Sequence, residues 1–335
     1  METIACDFVV IGSGIAALRA TIELADSGDV IILTKAGSEE GSTLYAQGGI
    51  AVAIDKDDSP EIHFEDTLSA GDGLCREDAV QLMTERGPVY VDQLIGWGAR
   101  FDRHDDGTLS LAREGAHSVR RVLHARDATG REICRVLWDR VSKHPRVTVM
   151  EHARVVDVVV SEGRCVAALF FDTTGAPSLA LAKATLLATG GAGQLYSETT
   201  NPSVATGDGV AIGYRAGARV VDLEFVQFHP TALSLKGHPR FLLSEALRGE
   251  GARLVNEFGQ PFMTSIDPAG DLASRDRVAR GIAREVSRTG GRVYLTLDGL
   301  PRDFVESRFP IITQACRAVG LDLAGDRIPV GPAAH

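Results

Sequence analysis

Residues 4–34 leave this chain few folds to choose from. An apolar run from Ile4 to Ile11, interrupted only at Cys6 and Asp7, leads at once into GSGIAA, a helical pattern through Ser27 and a second apolar run, Val30 to Leu33. Strand, glycine turn, helix and strand within about 30 residues make a βαβ unit, whose parallel strands belong to a sheet covered on both faces. The fold class expected is α/β, opening as a doubly wound domain. In the turn, Gly12 permits the tight bend, Gly14 lets backbone amides approach a pyrophosphate, and Ala17 lets the helix pack close to the sheet, while the helix N-terminus adds partial positive charge. Nucleotide binding is the expected role, with a plain tight turn as the alternative.

About 20 residues beyond the glycines, an acidic residue normally accepts hydrogen bonds from ribose hydroxyls, yet Thr34 and Lys35 stand there. On spacing alone, Lys35 therefore leaves the nucleotide's identity open. Three further small-residue turns, STLYAQGGIA (42–51), ATGGAG (188–193) and TTNPSVATGDG (199–209), suit a long ligand lying across the end of one sheet.

Glu77 to Trp97 and Asp127 to His144 read as helices, the second capped by Asp127 or Thr129. Gly37 to Gly49 reads as an irregular loop. VTVM, VVDVVV, CVAALFF and ATLLAT, between Val147 and Ala188, read as a strand meander with polar turns at Ser161 to Gly163 and Thr173 to Pro177. From about Leu223 the composition shifts to mixed helix and loop, so a first domain is placed at 1–222 and a second at 223–335. A length of 335 residues suits two domains.

The net charge of −10 argues against a nucleic-acid partner. No apolar stretch reaches the roughly 18 residues of a membrane span, and a cytoplasmic location is the default expectation. Cys6, Cys75, Cys134, Cys165 and Cys316 are widely spaced and form no C-x-x-C pair, so they read as reduced thiols and no metal site is expected.

GSGIAA, EGSTLYAQGGIA, REGAHSVRRVLHARDATG, ATGGAGQLY, TTNPSVATGDG, LEFVQFHPTAL, LLSEALRGEGARL, ASRDRVARGIARE and PAAH, in this order, resemble the fumarate reductase and succinate dehydrogenase flavoprotein family across residues 4–335. The resemblance implies an FAD-binding domain of glutathione-reductase type with an inserted α+β capping domain. By position, it implies FAD contacts at Gly12, Ser13, Gly14, Ile15, Ala16, Lys35, Ser42, Thr43, Leu44, Tyr45, Ala46, Gln47, Gly48, Gly49, Val155 and Asp208. Succinate dehydrogenases that the chain resembles carry a flavin-bonded histidine at the position of Ser42, so non-covalent FAD is expected.

A dicarboxylate held at both ends calls for Arg or His⁺. His229, Ser244, Glu245, Arg275 and His335 match the family's substrate site, and Arg275 is implied to donate or accept a proton, although an ordinary arginine stays protonated. Glu114 is implied to pair with a substrate ammonium. Its plainer role is a loop ion pair with Arg113, Arg120 or Arg121, and Arg248 and Arg253 read as ordinary ion-pair members. The implied reaction is oxidation of L-aspartate to iminoaspartate, with dioxygen or fumarate as acceptor, as the first step of de novo NAD biosynthesis, the imine passing to quinolinate synthase. The alternatives are a fumarate reductase or succinate dehydrogenase subunit and an inactive fragment. In the family PAAH is followed by the rest of the FAD domain, with another substrate arginine, and by a helical domain, so missing strands and exposed apolar surface are expected here.

Overall fold

Four parallel strands carry the glycine turn. The computed structural model describes all 335 residues. They form two compact units, of which the first comprises residues 1–45, 133–197 and 201–226. Its six-stranded sheet runs Val147–Met150, Val30–Leu33, Glu2–Ile11, Pro177–Leu187, Arg164–Phe171, Arg154–Ser161. The first four strands are parallel and the last two continue antiparallel. The helix Ile15–Ala25 connects Glu2–Ile11 to Val30–Leu33, and its Ala17, Leu18 and Thr21 are fully buried. A small residue at Ala17 is what close packing requires. Val9, Ile11, Ile31, Leu33, Ala168 and Phe170 lie in the core cluster of this unit. Asp7, which breaks the opening apolar run, accepts the Asp29 amide at 2.8 Å and so ties the helix exit to the first strand.

This mixed sheet is the doubly wound FAD-binding type expected. Two local readings change. VTVM is not part of the meander: Val147–Met150 pairs with Val30–Leu33 at the opposite edge of the sheet. The helix Thr129–Ser142 precedes it, and such a crossover permits a parallel partner. The loop 37–49 contains one helical turn, Ser42–Tyr45.

The second unit comprises residues 46–132, 198–200 and 227–335. Its main sheet is antiparallel, in the order Phe228–Leu233, Ile328–Ala334, Val293–Thr296, Arg253–Asn256. Leu243, Leu247, Leu254, Val278, Ile282 and Leu295 belong to its core, into which the helix Arg275–Thr289 places Val278 and Ile282. A small sheet joins Ile50–Ala51, Val122–Leu123 and Leu111–Ala112. The division thus differs from a single boundary at 222/223, because residues 46–132 join the later part of the chain. Their composition does not distinguish them from the first unit, and their packing partners are distant in sequence.

Asp127 does not cap the helix that follows it. Its Oδ2 accepts the Ile312 amide at 2.8 Å, at the start of the helix Pro310–Ala318. Thr129 Oγ1 accepts the Ala125 amide instead. All five cysteines are free thiols, and burial pushes those of Cys134 and Cys316 up to about 11. No helix is long and apolar enough to cross a membrane.

Candidate active site

The first unit holds a cavity of about 570 Å³ lined by Gly12 to Ala16, Lys35, Ser42, Thr43, Val155, Gly190, Gly191 and Asp208, among others. Its floor is the glycine turn. Gly12 has φ +115°, and a Cβ there would lie 2.2 Å from the Ala188 carbonyl oxygen. Gly14 is the N-cap of Ile15–Ala25 and has no side chain to cap it, the neutral Thr43 hydroxyl takes only the Ile15 amide, and the first turn holds no acidic residue. The partial positive charge of the helix end is therefore left for an anion from outside the chain. Cβ atoms at Gly190 and Gly191 would meet nothing within 4 Å, so bare backbone borders the open space at these two positions. These features fit an FAD pyrophosphate and its attached rings.

The missing acidic residue near Lys35 arrives from elsewhere. Lys35 Nζ bonds Asp208 Oδ2 at 2.7 Å and Thr206 Oγ1 at 2.5 Å. Burial alone would raise the Asp208 carboxyl, but bonds from Lys35 and Thr206 outweigh it and hold it below the usual carboxylate range. Ser13 and Thr34 share a hydrogen bond of 3.1 Å, and Thr43 Oγ1 accepts the Ile15 amide at 3.1 Å.

Other residues expected at FAD are not among those lining this cavity. Leu44 and Tyr45 do not line the cavity, and the Tyr45 hydroxyl donates to Glu40. Ala46, Gln47, Gly48 and Gly49 belong to the second unit. There the Ala46 carbonyl accepts the Gly130 amide, and Gln47 Oε1 accepts the Ser244 amide at 3.2 Å. A Cβ on Gly48 would stand 3.6 Å from Glu114 Oε1, and one on Gly49 only 2.3 Å from the Leu123 carbonyl oxygen.

The second unit brings the expected substrate residues together. Arg275 Nε donates to Glu245 Oε2 at 2.5 Å, its Nη1 donates to Gln227 Oε1 at 2.9 Å, and its Nη2 lies 3.8 Å from Glu114 Oε2. Glu245 Oε1 accepts the Gly115 amide at 2.9 Å. The rings of His229 and His335 stand 5.3 Å apart in an edge-on arrangement. His335 Nδ1 shares a 2.7 Å hydrogen bond with Thr200 Oγ1, and His229 Nδ1 accepts the Thr231 amide. Ser244 is buried, and its hydroxyl oxygen accepts the Ala246 amide at 3.2 Å.

Electrostatics revise one expectation. Burial, followed by the charge of Arg275, pushes His229 well below its ordinary value and His335 down to about 4. Both imidazoles are neutral at pH 7, so they offer N–H donors and the arginines alone supply positive charge. Arg248, expected as an ion-pair member, pairs with Glu245 within the same cluster. It is fully buried, bonds the Asp271 carbonyl, and holds Nη2 3.5 Å from Glu245 Oε1. Its Nε and Nη2 have no hydrogen-bond partner. The available signal was its position three residues after Glu245 in LLSEALRGEG.

Glu114 does not form the plain loop ion pair. Arg113 donates to the His117 carbonyl, Arg120 to the Leu111 carbonyl, and Arg121 to Asp58 and Asp66. Glu114 Oε1 is buried with no partner. Burial, then the neighbouring Glu245 charge, raises its carboxyl to about 7, against the opposing pull of Arg275 and Arg248.

A mixed sheet whose four parallel strands end at a glycine-turn helix and a cavity defines a nucleotide-binding flavoprotein domain. The family model of the FAD binding domain matches residues 7–335, and the chain belongs to that family, whose cofactor is FAD. Among curated proteins, it is 45% identical over 337 residues to an L-aspartate oxidase of a Nostoc species, matching 98% of this chain and 58% of that protein. It is 47% identical to L-aspartate oxidase of Streptomyces coelicolor, matching 99% of this chain and 59% of the relative. The chain thus spans somewhat more than half the length of these relatives. Among solved structures, an E. coli quinol fumarate reductase superposes with a TM-score of 0.93 at 31% identity, over 100% of this chain and 61% of that one. Mycobacterium smegmatis Sdh1 in complex with UQ1 gives a TM-score of 0.82 at 34% identity over 100% of this chain and 60% of that one.

Proposed function

We propose that this chain carries the FAD-binding and substrate-binding parts of an L-aspartate oxidase, which oxidises L-aspartate to iminoaspartate with dioxygen or fumarate as acceptor. The observation that carries this reading is the buried, unpartnered Glu114 oxygen beside Arg275. A carboxylate in that position suits a substrate that brings an ammonium to a diacid grip, and succinate and fumarate bring none. The likeness to fumarate reductases supports a second reading, a fumarate reductase or succinate dehydrogenase subunit, through fold alone.

Bound FAD supplies acceptance of the hydride lost from the substrate α-carbon. Gly12 to Ala16 would hold its pyrophosphate, with Lys35 and Asp208 at the ribose side. Arg275, fixed by Glu245 and Gln227, and the buried Arg248 grip the substrate carboxylates through charge-assisted bonds. His229 and His335 donate as neutral imidazoles. Glu114 holds the substrate ammonium and, with a carboxyl near 7, is matched to take its proton as the C–N double bond forms. Arg275 acts chiefly as a fixed positive charge. The reading places the enzyme in the cytoplasm, at the first step of de novo NAD synthesis, with quinolinate synthase as consumer of the imine.

Glu114→Gln is expected to weaken aspartate oxidation by about tenfold or more while changing fumarate reduction far less. Equal losses would remove the ammonium role. The pH dependence has a definite sign. The Glu114 carboxyl is protonated below about 7 and charged above it, so aspartate affinity rises as pH rises through that value. The Glu114→Gln variant should show a flat profile, measured as aspartate Kd from pH 5.5 to 8.5.

Ser42 cannot form the histidine–flavin bond. Acid precipitation of the FAD-loaded protein should therefore leave the flavin in the supernatant, and yellow precipitate would contradict non-covalent binding.

A further inference from the structure

A buried ionic cluster stands beside the Glu114 loop and has no part in the reaction described so far. Arg121 is fully buried and bonds Asp58 through two nitrogens, at 3.0 and 2.8 Å, and Asp66 at 2.8 Å. Asp66 lies on the helix Pro60–Ala70, whose start is capped by Ser59. Its Oδ2 also accepts both the backbone amide and the hydroxyl of Ser118, each at 2.8 Å. Burial would raise the Asp66 carboxyl, yet the Ser118 and Arg121 bonds hold it below the usual range.

The same loop is tied from its other side. The Gly115 amide donates to Glu245, and a Cβ on Gly115 would come within 2.5 Å of that carboxylate. Between these two ties Ala116 takes φ +66°, a conformation that costs a non-glycine residue free energy and persists only where its surroundings impose it. A buried ion cluster stabilises a fold little better than apolar residues of the same volume. Its distinctive capability is to fix geometry. His63 and His117, with ring centroids 5.9 Å apart, are pushed below their ordinary values by burial and then by Arg121, so they remain neutral and leave Asp66 to Ser118 and Arg121.

We propose that the Asp66–Ser118 clamp, backed by Arg121 and Asp58, is a positioning assembly that holds the loop 113–118 so that Glu114 presents its free oxygen to a substrate ammonium, and that it thereby sets the preference for an amino diacid over an unsubstituted one. The proposal rests on the function proposed above and assigns residues to it that touch neither substrate nor cofactor. Discrimination then depends on side chains that a diacid without an ammonium does not sense.

The test is calorimetric titration of the FAD-loaded protein with L-aspartate and with succinate. Ser118→Ala removes one of the three bonds to Asp66 and should raise the aspartate Kd about threefold, and Asp66→Asn about tenfold, with succinate Kd changing less than about twofold. Ser118→Thr retains both donors and should preserve the wild-type ratio. Equal weakening of both ligands, or no change in either, would overturn the assembly while leaving the role of Glu114 intact. A wild-type protein that binds both ligands equally well would overturn the assembly and the proposed function together.

Discussion

Arg275→Leu is expected to abolish turnover, lowering kcat/KM by about 10³-fold or more, and to leave bound FAD close to stoichiometric. Arg275 heads the helix Arg275–Thr289 in the second unit, whereas the glycine-turn cavity is built from the first. Loss of the guanidinium removes the one cation that touches Glu245, Gln227 and Glu114 together. The carboxylates of Glu114 and Glu245 would then repel an incoming diacid with only Arg248 left to oppose them. Arg275→Lys should recover little, because a point charge cannot reproduce the fork that engages Glu245 through Nε and Gln227 through Nη1. Steady-state kinetics beside the flavin-to-protein ratio checks both parts, and retained turnover would take Arg275 out of the mechanism.

Gly12→Ala is the second large effect. It should leave the protein without flavin and lower its stability by about 3 kcal/mol. The residue sits at φ +115°, and the new methyl would meet a backbone carbonyl at 2.2 Å, where no flexible side chain can give way. The turn must open, and the first strand or Pro177–Leu187 must move with it. Gly191→Ala is the informative companion. Its methyl would enter open space at the edge of the cavity, so stability should hold while FAD affinity falls. Thermal unfolding with and without FAD separates the two outcomes, and a Gly12→Ala protein that binds FAD normally would show that the turn is not the pyrophosphate seat.

The parts of this molecule legible in its sequence are those fixed by local physics. Ile4 to Ile11, the glycine turn and Val30 to Leu33 form a unit whose pairing follows from its own spacing, and the structure has it in that form. VTVM was hidden because four apolar residues do not state which edge of a sheet they join. Asp127 was misread for a related reason: a cap residue beside a helix start has the right chemistry for that helix, and only the tertiary fold shows that it serves another one.

The site divides along the same line. Arg275, Glu245, His229, His335 and Glu114 could be named from short motifs, and the fold brings them together. Their charge states could not be read in that way. Neutral His229 and His335 follow from burial beside Arg275, which is a property of the packed unit. The acid that pairs with Lys35 is Asp208, 173 positions away, so a rule based on distance from the glycines had no access to it. Residues 46–132 look like part of the first domain in composition, yet they carry Glu114 and its clamp into the second unit.

In the proposed function, FAD held by the glycine turn is reduced by an amino diacid that Arg275 and Glu114 recognise. Anaerobic titration of the FAD-loaded protein, followed by its visible absorption, tests this most directly. L-aspartate should bleach the flavin band with one equivalent per flavin, and succinate should leave it unchanged. A band that succinate bleaches as readily, or that aspartate leaves untouched, would contradict the claim.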